Sequence, residues 1–288
     1  MKSAAHSRTA RLPEARAGRA GPTAGTAPAA PAGPSEPTAS VLTREILAPA
    51  VVVVLGAIMT ILDATIVNVA LPTLGRDLRT SISTIQWVPT IYLLAFASVI
   101  PLTGWTAGRF GAKRVWLASL GLFMAGSLLA GLSPSIGALI GFRVVQGVAG
   151  GMIMPLGQLI LAQVAGPKRM GRVMSIVGVP MLLAPIFGPL IGGSLVDAAS
   201  WRWIFFVNLP VGLLAIVLAV RLLPAAGTRS AQRLDVAGAV LLSGGLALFL
   251  YGLAETGQHA QWTTPAALGP MTAGAVLLAL FVRHARRV

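Results

Sequence analysis

Eight apolar runs dominate this sequence. An α-helix needs about 20 such residues, at about 1.5 Å each, to cross the hydrocarbon core of a bilayer. The runs extend over Ala48–Leu71, Trp87–Trp105, Val115–Leu132, Pro134–Gln163, Arg172–Val196, Ile204–Leu223, Val236–Leu253 and Ala266–Val282, with polar or Pro/Gly-marked breaks between them. The third is barely long enough. A bilayer interior offers no partner for a free backbone N–H or C=O, so only helices and closed barrels span it. These runs are continuous rather than alternating, and the expected fold is therefore all-α, a polytopic membrane protein with about eight transmembrane helices.

Charge sets the expected orientation. The formal charge of +14 would point to nucleic acid in a soluble chain, but the cations are placed otherwise. Of 22 Lys and Arg, six precede the first apolar run. Three more lie in each of four later segments: Arg109, Lys113 and Arg114; Lys168, Arg169 and Arg172; Arg221, Arg229 and Arg233; and Arg283, Arg286 and Arg287. The intervening loops hold only Arg76, Arg79 and Arg202. Excess Lys and Arg mark cytoplasmic loops. The N-terminus is thus expected in the cytoplasm of a cell-membrane protein whose basic loops meet a lipid bilayer, and no nucleic-acid partner is expected. Residues 1–45, rich in Ala, Pro, Gly and Arg and free of aromatics, are expected to form a disordered basic tail. Zero cysteines and three scattered histidines suggest no metal site. No GxxxxGK[ST] loop occurs, so ATP binding by that route is not expected.

Two charges lie well inside spans. Arg143 stands in LIGFRVVQGVAGG and Asp63 in LDATIVNVALP. A cation at the middle of a membrane helix costs about 2.5–3.5 kcal/mol even on lenient scales and demands a partner. Asp63 lies nine residues before Pro72 on an outward helix, and Arg143 nine residues after Pro134 on a returning one. Each is therefore about 13 Å below the outer surface, a matching depth that permits pairing across the helix interface. The pair is expected to couple transport to protons, against the plainer reading of a salt bridge that only fixes packing. Gln146, three residues beyond Arg143, shares its helix face and is the better cavity candidate. Asn68, five beyond Asp63, is rotated by about 140° and is an equally good candidate for a bond to another helix. Gly147, Gly150 and Gly151 suit a close helix crossing. In the fifth span Pro180, Pro185 and Pro189 each remove a backbone donor, and Gly188 and Gly192 form a smooth face beside the resulting bend. The expected role of that bend is gating.

Together these segments resemble the major facilitator superfamily, most closely its drug:proton antiporters of the fourteen-span type. LDATIVNVALP looks like that group's first-span motif, with Asp63, Asn68 and Pro72 matching. Gly104, Arg109, Gly111, Lys113 and Arg114 match the loop motif, and LIGFRVVQGVAGG matches the fourth-span motif. Gly188, Pro189, Gly192 and Gly193 match the antiporter motif. SWRWIFFVNLP, Ser200 to Pro210, is similar to the segment that usually follows. Two departures stand out: Gly108 replaces the loop motif's aspartate, which puts the family's charge latch in doubt, and Ala184 replaces the antiporter motif's leading glycine. The resemblance implies a transporter rather than an enzyme, exchanging protons for a small amphipathic or hydrophobic substrate. Residues 46–223 would form a six-helix half of two inverted three-helix repeats. Residues 224–288 would supply the two additional helices of the fourteen-span type. The chain would then be the N-terminal portion of an efflux pump, truncated or a fragment, with a C-terminal half missing. Two other readings are an ion-coupled importer and a non-transporting membrane interaction protein.

Overall fold

The computed structural model describes residues 44–224, 233–259 and 264–287. Of the expected tail at 1–45, residues 1–43 lie outside the described residues; the first helix already begins at Arg44. In chain order the helices are α1 (Arg44–Asp77), α2 (Ile82–Ile85), α3 (Trp87–Val99), α4 (Thr103–Phe110), α5 (Ala112–Gly131), α6 (Ile136–Ala165), α7 (Pro167–Ala198), α8 (Trp203–Phe206), α9 (Asn208–Leu222), α10 (Val236–His259) and α11 (Pro265–Ala285). Among the described residues they make up eight segments long and apolar enough to cross a membrane. The second comprises α2 to α4, Ile82–Phe110, and the sixth comprises α8 and α9, Trp203–Leu222.

Local chemistry sets the boundaries. Ser81 accepts the Thr84 N–H at 3.2 Å to start α2, and Ser135 accepts the Ala138 N–H at 3.3 Å to start α6. Each side chain satisfies a backbone donor that a helix start would leave bare. Gly111, at φ 92°, turns the chain between α4 and α5 in a conformation that favours glycine. Pro101 lies in the short 3₁₀ turn Ile100–Leu102 that divides the second span. α7 remains a single helix through Pro180, Pro185 and Pro189.

The packing has a repeated pattern. The first span packs against the fifth and sixth, and the fourth packs against the second and third. Exchanging spans one, two and three with four, five and six reproduces this pairing. The first and fourth also cross each other at the centre. α10 and α11 lie against one another, Gly245 and Gly274 allowing close approach, and α10 reaches the second span where Tyr251 stacks on Trp87 at 5.5 Å between ring centroids. Buried side chains from the six spans fill the interior: Met59, Trp116 and Phe123 toward one end, and Ile66, Trp201 and Phe205 toward the other. On α7, Leu182, Ile186 and Leu190 form a broad exposed apolar face.

Candidate functional site

Asp63 is wholly buried in α1, and so is Arg143 in α6. Their side chains meet, Arg143 Nη1 donating to Asp63 Oδ2 at 2.5 Å. The other carboxylate oxygen accepts two amide donors, Gln146 Nε2 at 3.2 Å and Asn208 Nδ2 at 2.8 Å. Both amides also bind the Ser127 hydroxyl, Gln146 at 3.1 Å and Asn208 at 2.9 Å, and that hydroxyl donates to the Phe205 carbonyl at 3.0 Å. With two bonds accepted and one donated, the Ser127 hydroxyl is saturated.

Arg143 makes further contacts through Nε and Nη1, while its buried Nη2 has no hydrogen-bond partner among the described residues. Its Nε donates to the Val88 carbonyl at 3.3 Å, and its Nη1 also reaches Gln146 Oε1 at 3.2 Å. The guanidinium lies 4.1 Å from the centroid of the Tyr92 ring and 5.9 Å from that of Phe205. Cations gain from the face of an aromatic ring, more so when desolvated. Tyr92 is fixed in turn by its hydroxyl, which donates to the Thr60 carbonyl at 3.3 Å. Five spans thus converge on one carboxylate: the first, second, third, fourth and sixth.

Three of these participants carry little signal in the sequence. Asn208 and Ser127 are short polar residues in apolar runs, and Tyr92 reads as an ordinary core aromatic. The available hint for Asn208 was its place in SWRWIFFVNLP. Of the two cavity candidates, Gln146 is wholly buried in the cluster. Asn68 stands apart, exposed and, among the described residues, bonded to its own helix at Ala64 O, 3.3 Å away.

The glycines bring helices together around this centre. A Cβ at Gly147 would collide with the Tyr92 carbonyl oxygen and stand 2.8 Å from Ala95 Cβ, and one at Gly151 would collide with the Phe96 carbonyl oxygen. The contact between α3 and α6 therefore depends on these bare backbones. On α7, a Cβ at Gly188 would strike Thr65 Oγ1, and one at Gly192 would lie 2.7 Å from Ile66 Cγ1. Gly193 is looser, with Val69 at 4.0 Å, and Pro189 is exposed. α7 is thereby seated on the stretch of α1 that immediately follows Asp63. Beside the charge pair is a recess of about 150 Å³ bounded by Thr60, Ala64, Thr65, Tyr92, Phe96 and Met154.

The loop-motif residues lie elsewhere. Lys113 Nζ donates to the carbonyls of Val220 at 2.9 Å and Leu223 at 2.6 Å, capping the end of α9. Arg109, Arg114 and Gly104 are exposed. Gly108 borders a cleft of about 520 Å³ whose other walls include Trp105, Arg233, Asp235 and Phe281. Asp235 accepts the Gly238 N–H at 2.9 Å and contacts His284 Nε2 at 2.9 Å. The Gly238 N–H, followed by the His284 bond, holds its carboxyl below the usual range.

A family model described as Major Facilitator Superfamily matches residues 53–284. The chain is 46% identical over 239 residues to the Multidrug resistance protein B homolog of Mycobacterium tuberculosis (strain ATCC 25618 / H37Rv), covering 83% of this chain and 44% of that protein. It is 40% identical over 212 residues to the Multidrug export protein EmrB of Haemophilus influenzae, covering 72% of this chain and 41% of that one. The chain spans less than half the length of these two relatives. Among solved structures, the human organic anion transporter MFSD10 matches with a TM-score of 0.58 at 20% identity, over 74% of this chain and 56% of that chain. The inward-open xylose transporter XylE of E. coli matches at 0.53 and 16%, over 81% and 56%. At these identities the structural matches speak to the fold alone.

Proposed function

Because this chain belongs to the major facilitator superfamily, we propose that it works in proton-coupled efflux of small hydrophobic or amphipathic molecules, with Asp63 and Arg143 as the coupling pair. The observation that supports this reading is a carboxylate buried opposite an arginine and bonded by three donors from two other spans, the fourth and the sixth. Taking up a proton there removes the attraction that holds Arg143 to the first span. Moving one charge through the membrane field is worth about 2.3 kcal/mol per 100 mV, enough to drive a substrate uphill. The names of the two relatives, a multidrug resistance protein and a multidrug export protein, support export as the direction.

Each expected residue has a place in this scheme. The recess beside Tyr92 supplies an apolar wall for substrate, with Gln146 behind it in the charged cluster and Asn68 at a separate exposed position. Gly147 lets the second and fourth spans move as a closely packed pair. Gly188, Pro189, Gly192 and Gly193 make α7 the gating helix, sliding on Thr65 and Ile66. Lys113 ties the loop to the end of the sixth span, while Gly104, Gly111, Arg109 and Arg114 shape the basic loop at the cytoplasmic face of the cell membrane. In this scheme the N-terminus is cytoplasmic, and a second six-span unit closes the central pathway.

Uptake of a fluorescent lipophilic cation into inverted vesicles carrying the chain together with such a second six-span unit, driven by an imposed proton gradient, tests the proposal. Accumulation that depends on the gradient and is abolished by Asp63→Asn is the expected result. Gradient-driven accumulation that survives Asp63→Asn would overturn the coupling assignment. Accumulation in whole cells instead of inverted vesicles would favour import.

A further inference from the structure

The geometry points to Asn208 as the positioning residue through which the protonation of Asp63 reaches the sixth span, an inference that rests on the coupling role proposed above. Hydrogen-bond accounting leads to it. Every described hydrogen-bonding group on the Asp63 carboxylate is a donor: Arg143 Nη1, Gln146 Nε2 and Asn208 Nδ2. That arrangement fits an ionised carboxylate, which only accepts. When the carboxylate takes a proton, the new O–H must donate, and one neighbouring group must turn an acceptor toward it.

The groups facing Asp63 from the surrounding elements narrow the choice. α3 contributes the titratable Tyr92, whose hydroxyl is committed to the Thr60 carbonyl. α6 contributes the charged Arg143, which can only donate, and Gln146. α5 contributes Ser127, α8 the Phe205 carbonyl and α9 Asn208. α7 presents the backbone of Gly188 and Gly192 to the neighbouring turn of α1. Gln146 is pinned, because its Oε1 accepts from Arg143 Nη1 and reversing the amide would set two donors face to face. Among the described hydrogen bonds no cation holds Asn208 in this way.

Turning the Asn208 amide has a definite consequence. Its Oδ1 then accepts the Asp63 O–H, and it also faces Ser127 Oγ, which has just lost the Asn208 donor. The Ser127 hydroxyl can donate to the same oxygen, and in doing so it releases the Phe205 carbonyl. One proton gained at Asp63 thereby removes a hydrogen bond at Phe205, beside Val207, where α8 passes into α9. The two bonds donated by Asn208 Nδ2 give way to two accepted by its Oδ1, and Arg143 keeps its charge while its attraction to Asp63 weakens. The sixth span is freed at its entry by a change that begins on the first.

The absence of cysteine from the chain makes the test direct. Cysteines introduced at Leu132, beyond α5, and Leu213, on α9, both exposed, carry spin labels whose separation is measured at neutral and acid pH in lipid nanodiscs. Infrared difference spectra of the same samples report the carboxylic C=O band of protonated Asp63, assigned by its loss in Asp63→Asn. In the parent chain both signals change on acidification. In Asn208→Leu, whose side chain neither donates nor accepts, the carboxylic band persists and the distance change is lost. Asn208→Ser, which can do both, restores it. Ser127→Ala, which cannot bond the Phe205 carbonyl, also loses the distance change and serves as the second variant should Asn208→Leu fail to fold. A full distance change in folded Asn208→Leu or Ser127→Ala overturns the inference. A carboxylic band that survives Asp63→Asn overturns the coupling role of Asp63 instead, so the two failures are distinguishable.

Discussion

Removing one member of the central pair is expected to destabilise the fold more than removing both. Breaking a buried ion pair on one side costs about 3–5 kcal/mol, because the survivor stays charged and unpaired, whereas exchanging both members for apolar groups is close to neutral. The structure also orders the single variants. In Arg143→Met, Asp63 keeps the donors from Gln146 and Asn208. A carboxylate so placed can also take up a proton, which puts the cost near the lower end, about 3 kcal/mol. In Asp63→Leu, Arg143 keeps the neutral acceptors Val88 O and Gln146 Oε1 and the rings of Tyr92 and Phe205, and a guanidinium cannot shed its charge. That variant is placed near the upper end, about 5 kcal/mol. In the double variant the two amides still bond Ser127, and the expected cost is about 1–2 kcal/mol. Reversible unfolding in mixed micelles, followed by circular dichroism, measures all three. A double variant that costs the sum of the singles would refute the reasoning, as would Arg143→Met proving more damaging than Asp63→Leu.

Three other outcomes follow from the structure. Gly147→Leu pushes α3 off α6 at the Tyr92 carbonyl, and a loss of at least about 1–3 kcal/mol is expected in the same unfolding assay, with Gly104→Ala, where a Cβ meets nothing, as a silent control. Lys113→Met removes the cap on the last carbonyls of α9, and amide exchange near Val220 and Leu223 should accelerate roughly 2–10-fold, equivalent to about 0.5–1.5 kcal/mol. The carboxyl of Asp235 is held below its usual range, so the stabilisation from its bonds to Gly238 and His284 is present above the ordinary carboxylate range and is lost as pH falls through the lowered value. Thermal midpoints should therefore fall on acidification in the parent chain, and Asp235→Asn should blunt that fall.

The spans were legible because hydropathy is a one-dimensional signal, and a bilayer permits helices where such runs occur. Asp63 and Arg143 could be paired for a related reason: helical rise converts residue counts into depth, and two charges at one depth in an apolar medium have few other partners. The rest of the cluster was not legible, since Ser127 and Asn208 gain their importance only when the third and sixth spans fold beside the first. Nothing along the chain separates Asn208, buried against Asp63, from Asn68, exposed on the same helix as Asp63. Helix ends were underestimated for α1, which continues beyond its apolar run at both termini to Arg44 and Asp77 because ends at a headgroup boundary tolerate polar residues. The opening of a cleft at Gly108 was equally hidden, as its far wall comes from residues more than a hundred positions later in the chain.

Asp63 and Arg143 each have no exposed side-chain surface, and that has an electrical meaning. A titratable group open to both sides of a membrane would act as a wire and short-circuit the gradient that energises the cell. A carboxylate with no exposed surface is closed to direct contact with water from either compartment in this conformation. Under the proposed coupling, the burial that hides the pair from solvent would let a gradient persist between cycles.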